Sequence, residues 1–86
     1  MIKRYKKGNK IVEAVSWDAD IESEELIQEF SGKKVTFTDH PDFIIVLIEL
    51  GKHLLLDLGD YLVKDDEGNL YVVEQDAFEQ TYEVIE

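Results

Sequence analysis

The stretch that decides the fold is Gly59-Asp60-Tyr61-Leu62-Val63-Lys64-Asp65-Asp66-Glu67-Gly68-Asn69-Leu70-Tyr71-Val72-Val73-Glu74, with Gln75-Asp76-Ala77-Phe78-Glu79-Gln80-Thr81-Tyr82-Glu83 behind it. Two apolar runs, Tyr61–Lys64 and Leu70–Glu74, flank a polar five-residue segment with a glycine near its end. That is the pattern of two antiparallel strands joined by a turn. Gly59 is expected to take a positive φ just before the first strand. Asp76 is placed to cap one helical turn that presents Phe78. Thr81–Ile85 reads as a closing strand with Tyr82 and Val84 on one face.

Upstream, Lys10-Ile11-Val12-Glu13-Ala14-Val15-Ser16-Trp17 is rich in β-branched residues and alternates in part. It predicts a strand with Ile11, Glu13, Val15 and Trp17 on one face and Val12, Ala14 and Ser16 on the other. Gly8-Asn9 marks a turn before it. Asp20 is an N-cap for a helix over about 20–30, in which Leu26, Ile27 and Phe30 form a narrow apolar stripe. Glu22, Glu24 and Glu25 suit the positive end of the helix dipole, and Ser31-Gly32 ends the helix. Ten or so helical residues do not hold a helix alone in water, so the stripe must pack on a sheet.

Lys33–Thr38 is a short strand, and Asp39-His40-Pro41-Asp42 a turn. Phe43–Leu50 and His53–Leu58 are two strands around Gly51-Lys52, with glycine placed for a type II′ hairpin. The continuous apolar run Ile44–Ile48 predicts a central strand covered on both faces, by the helix on one side and by a second sheet layer or a second subunit on the other. The fold class expected is therefore α+β: one β-rich domain over 1–86, a curved antiparallel sheet or small open barrel with one helix packed on it. Residues 1–9 are expected as a mobile basic arm or a lysine-guarded edge strand.

Composition limits the chemistry. A chain of 86 residues buries roughly 60–65% of its unfolded surface and reaches a stability of about 5–8 kcal/mol. There is no cysteine, which removes disulfides, thiolate catalysis and cysteine zinc sites and suits a reducing cytosol. No apolar run approaches the ~20 residues that span a bilayer, so no membrane partner is expected. The basic start is followed by no apolar segment of signal-peptide length.

Charge is segregated. Residues 1–10 hold five of the nine Lys/Arg and no acid, while the rest hold four lysines against all twenty acids, a formal −16. Such a body repels nucleic acid directly. It also suits a surface shaped to occupy a cationic groove, as a decoy for nucleic acid would.

No reacting constellation stands out. His40 and His53 lack helical spacing to a second ligand, and Ser16, Ser23 and Ser31 sit in no nucleophile elbow. Asp65-x-Glu67-x-Asn69 departs from a calcium loop, because Gly68 precedes Asn69 and no glutamate stands at the twelfth position. Glu13 and Glu74, each in an apolar strand, are more notable than the other acids. No metal, no cofactor and no catalytic residue are expected. A ligand or partner would meet Trp17, Tyr61, Tyr71 and Tyr82, whose rings can stack a base, together with Lys6 and Lys7.

In this order the motifs resemble a family of small uncharacterised phage and prophage proteins. The likeness is carried by the basic arm Lys3-Arg4-Tyr5-Lys6-Lys7, by Val12-Glu13-Ala14-Val15-Ser16-Trp17 and by the helix ending Glu29-Phe30. At the other end it is carried by Gly59–Lys64, Gly68–Tyr71 and Asp76–Glu83. These blocks cover about half the chain. The chain departs from the pattern at Val72-Val73-Glu74-Gln75, where such proteins carry prolines and often a cysteine. The resemblance implies phage origin and action in the cytoplasm of a bacterial host, and it brings no catalytic residues.

The function expected is a small acidic non-enzymatic accessory protein that binds a host protein, such as a defence or nucleic-acid-handling factor. The alternatives are a protein that binds or sequesters a small nucleotide signal, and a minor virion or assembly component. A homodimer would cover Phe43–Ile48 in any of them.

Overall fold

In the computed structural model the described residues are 2–18, 20–33, 35–37, 44–49 and 52–85, with backbone alone at 36, 37, 44–49 and 52. The chain runs through β1 (Lys3–Lys7), β2 (Lys10–Ser16), α1 (Ile21–Ser31), β3 (Val35–Phe37), β4 (Ile44–Glu49) and β5 (Lys52–Leu56). It then passes through β6 (Tyr61–Lys64), β7 (Leu70–Val73), α2 (Gln75–Thr81) and β8 (Glu83–Val84). Five strands form one antiparallel sheet in the order β7-β6-β2-β1-β8, and β3-β4-β5 form a second. The larger sheet is open, with β7 and β8 at its edges. This is the β-rich α+β domain the patterns predict.

Alternation along the strands explains why this sheet has two cores. On one face Val15, Trp17 and Leu62 meet Ile27 and Phe30 of α1 together with Val35 and Leu56 from the second sheet. On the other face Val12, Ala14 and Val63 meet Phe78 of α2 and Tyr82. Successive residues of a strand point to opposite sides, so β6 and β7 read as unbroken apolar runs because each side has its own cover. α1 and the second sheet reach only part of their face: Ile11, on the same side as Trp17, remains 52% exposed.

The ends of α1 follow from local chemistry. The Ser23 amide donates to Asp20 Oδ1 at 2.8 Å, and the Asp20 amide donates back to Ser23 Oγ at 3.4 Å. This reciprocal cap satisfies two of the free donors of the first turn. Gly32 closes the helix at φ 68°, its amide donating to Gln28 O at 3.0 Å. Gly59 adopts φ 91°, and its amide donates to Trp17 O at 2.8 Å while the Trp17 amide donates to Asp60 O at 2.9 Å. That pair of bonds ties the end of β2 to the start of β6.

Several expectations are corrected. Within the region expected as a mobile arm or an edge strand, Lys3–Lys7 is neither: it is paired with β2 on one side and β8 on the other. Its two-residue turn, Gly8-Asn9, lets the chain double back directly onto β2. Among the described residues there are two helices, not one, because the turn at Phe78 extends over seven residues. Asp76 is not its cap. Glu74 holds that position with extended backbone and no side-chain bond, and Asp76 lies in the first turn. The closing strand is only Glu83–Val84, with Tyr82 buried and Val84 57% exposed. The turn at His40-Pro41 and the glycine of the Gly51-Lys52 hairpin lie outside the described residues, as do Phe43 and the side chains of Ile44–Ile48, on which the homodimer expectation rested. β4 is the middle strand of its sheet, as its composition predicts.

Candidate functional site

The face covered by α2 is aromatic. Phe78, 1% exposed, is sandwiched between Tyr61 (centroids 3.9 Å apart, planes 11°) and Tyr82 (4.6 Å, 16°). Tyr5 meets Phe78 edge-on at 4.7 Å and Tyr61 at 6.2 Å. Register produces this cluster. Tyr5 stands opposite Val12, and Val63 opposite both Ala14 and Tyr71, so all these side chains emerge on the α2 side. One helical turn then lowers Phe78 between the rings.

The phenols of Tyr5, Tyr61 and Tyr71 are held neutral. Burial first, then the neighbouring Tyr61 and the bond Tyr5 donates to it, pushes Tyr5 up. Burial, then the negative charges of Glu79 and Asp18, pushes Tyr61 up, offset by the bond it accepts from Tyr5. Tyr71 is pushed up to about 12 by burial, by the hydrogen bond it donates to Tyr82 and by its closeness to Tyr82 and Asp65.

Past Tyr82, towards the turns at 8–9 and 65–69, the α2 face opens into a cleft of about 430 Å³. Its floor is Val12 with Tyr71 and Tyr82, and its rim carries Lys7, Asn9 and Lys10 on one side and Asp65 on the other. Lys7 and Lys10 stand directly opposite each other across the β1–β2 hairpin. Lys7 Nζ lies 5.8 Å from the Tyr82 ring centroid, at the outer limit of a cation–π contact. Asp65 serves its own turn: Oδ1 accepts from the amides of Glu67 and Asn69 at 2.9 Å each, and Oδ2 from the Asn69 side-chain amide at 3.2 Å. The Asn69 bonds and the other donors of the turn, with help from Lys10, hold its carboxyl below the usual range.

Of the residues singled out in the sequence, the structure brings Tyr71, Tyr82 and Lys7 to one cleft and separates the rest. Trp17 is 1% exposed in the core on the opposite face, so it offers no ring to a ligand. Tyr61 is covered by Phe78. Lys6 faces away from the cleft and pairs with Glu83 at 3.7 Å. Lys10, Asn9, Asp65 and Tyr5 were missed. The signal for Lys10 was present in Gly8-Asn9, since a two-residue turn puts residues 7 and 10 face to face.

The remaining polar candidates serve the fold. Ser23 completes the α1 cap, Ser31 Oγ donates to Gln28 O at 3.4 Å, and Ser16 Oγ donates to Asp18 Oδ1 at 3.3 Å. Glu13, His53 and Glu74 are exposed, and His40 lies outside the described residues. Among the described residues no three His, Cys, Asp or Glu side chains converge to hold a metal, and no helix is long and apolar enough to cross a membrane.

α1 makes a second surface on the other side of the molecule. Glu22, Glu25, Gln28 and Glu29 are exposed along it, and its last turn has no basic residue. Among the described residues the only ion pair is Lys6–Glu83, so these carboxylates are unneutralised. No protein-family model matches the chain, and neither a curated protein nor a solved structure does.

Proposed function

We propose that this is a small non-enzymatic phage accessory protein that binds a protein of its bacterial host through the acidic face of α1. The observation that carries this is the unopposed row of carboxylates. Glu22, Glu25 and Glu29 follow at steps of three and four residues, about 4.5 and 6 Å along the axis, on a helix locked at both ends. A rigid line of negative charge at that spacing suits a cationic groove that normally takes a phosphate backbone. Defence and nucleic-acid-handling proteins present such grooves. Rigidity matters because a preordered charge row loses little side-chain and backbone freedom on docking. The resemblance to small phage and prophage proteins supplies the setting, in the cytoplasm of the infected cell.

The test is affinity capture from lysate of a bacterial host, comparing the native chain with Glu22→Lys/Glu25→Lys/Glu29→Lys. A partner retained by the native chain, lost by the reversed one and eluted by moderate salt supports the proposal. Equal capture by both contradicts it. Reversal of Asp66 and Glu67, exposed acids in the β6–β7 turn, serves as the control for net charge alone.

A further inference from the structure

We propose that the cleft beside Tyr82 binds a small phosphorylated aromatic molecule of mononucleotide size, its phosphate held between Lys7 and Lys10 and its ring laid on Tyr71 over Val12. The site is separate from the acidic helix, since α1 packs on the opposite face of the five-stranded sheet. Success or failure here is therefore independent of host-protein binding.

Four features point to this ligand. The first is charge. Two ammonium groups directly opposite in a hairpin repel each other, and among the described residues neither has an ion-pair partner. The carboxylate that lines the cleft, Asp65, is already bound by three donors of its own turn. A dianion at the rim relieves the repulsion and meets both lysines.

The second is the floor. Val12 is buried, Tyr71 is partly covered and Tyr82 is fixed from behind by Phe78, so the bottom is apolar, aromatic and rigid. A flat ring gains most from such a surface. The third is polar: Tyr71 and Tyr82 each bring a hydroxyl able to donate, and Asn9 adds an amide at the rim. The fourth is size. About 430 Å³ accommodates one base with its sugar and phosphate, within the range of small-ligand sites.

The location is favourable as well. A chain of net charge −11 repels anions on average, yet the cleft lies at the end where residues 1–10 carry five positive charges and no acid. Binding there is local and short-range, and salt weakens it.

The experiment is isothermal titration of the full chain with adenosine 5′-monophosphate and guanosine 5′-monophosphate, with adenosine and inorganic phosphate as separate arms. Saturable binding of at least one nucleotide is expected. Lys7→Ala/Lys10→Ala should weaken it roughly tenfold or more, as loss of two charge-assisted contacts would. Lys3→Ala/Arg4→Ala, on the same strand outside the cleft, should bind as the native chain does. Both double variants alter exposed side chains, and an unchanged thermal melt shows that each is folded. Absence of saturation by either nucleotide at millimolar concentration overturns the proposal, as does native affinity in Lys7→Ala/Lys10→Ala. Phosphate binding as tightly as the nucleotides overturns the role of the aromatic floor.

Discussion

Lys7 and Lys10 face each other directly across the β1–β2 hairpin, two like charges at the mouth of an aromatic cleft. Stability alone does not favour that pairing, since opposed charges of one sign cost what a mixed pair gains. Replacing Lys7 with Glu converts the repulsion into a cross-strand attraction. The free protein should become more stable by about 0.2–1 kcal/mol, less the weak contact of Lys7 with the Tyr82 ring. Urea unfolding of Lys7→Glu beside the native chain measures it. A loss of stability would show that the two ammonium groups are not in opposition.

Phe78 anchors α2 by standing between two parallel tyrosine rings. Phe78→Ala removes a buried ring and should cost about 3–5 kcal/mol, a large share of the total for a domain of this size. Phe78→Leu should cost less, because it keeps the volume and loses only the stacking. Chemical denaturation of both variants tests the order. Equal losses would mean that ring stacking and not buried volume holds the helix.

The caps make stability depend on acid in a defined direction. Asp20 is lowered by its bonds with Ser23, and Asp65 by its bonds in the turn. Both carboxyls are more acidic folded than unfolded, so their contribution is complete above the ordinary Asp range and disappears as pH falls through the folded values. Melting temperature should therefore fall as pH drops below the ordinary Asp range. Asp20→Asn, which keeps an acceptor but does not titrate there, should flatten the slope. At the other end Tyr71, pushed up to about 12, favours the folded state up to pH 10, and that advantage fades as pH rises towards 12. Phenolate absorbance should show tyrosines that ionise late, and in Tyr71→Phe the late component should lose one tyrosine's share.

Gly59 has a left-handed backbone and a close neighbour: a Cβ there would lie 2.8 Å from Gln75 Oε1. Gly59→Ala should cost about 1 kcal/mol or somewhat more from φ alone. The glutamine end can move aside, so Gln75→Ala in the same chain should restore little. Thermal melts of the single and double variants separate the two causes, and full rescue by Gln75→Ala would assign the cost to the contact.

Much of the fold was legible because local signals agreed. Asp20, Gly32 and Gly59 each do what their type predicts, and the parity of β2 placed Trp17 and Val15 together on the side that α1 came to cover. The sequence predicts only a single turn where α2 forms, because seven residues with one buried side chain give no periodicity. The composition of β1 predicts an arm or an edge strand because lysines outnumber apolar residues in it, although its middle residue, Tyr5, faces the aromatic core. Which strand lies beside which depends on pairing far along the chain, as with β8 against β1, and no local pattern encodes it. Trp17 attracted attention as a stacking residue for the same reason that it is core: it is large and flat. The cleft emerged only when register put residues 7, 10, 71 and 82 on one side.

We propose the carboxylates of α1 as the surface by which this protein meets a cationic host protein. Capture from host lysate by the native chain and by Glu22→Lys/Glu25→Lys/Glu29→Lys is the most direct measurement. A partner held by the first, released by salt and absent from the second is the predicted result. The same partner recovered equally with both chains would contradict the claim.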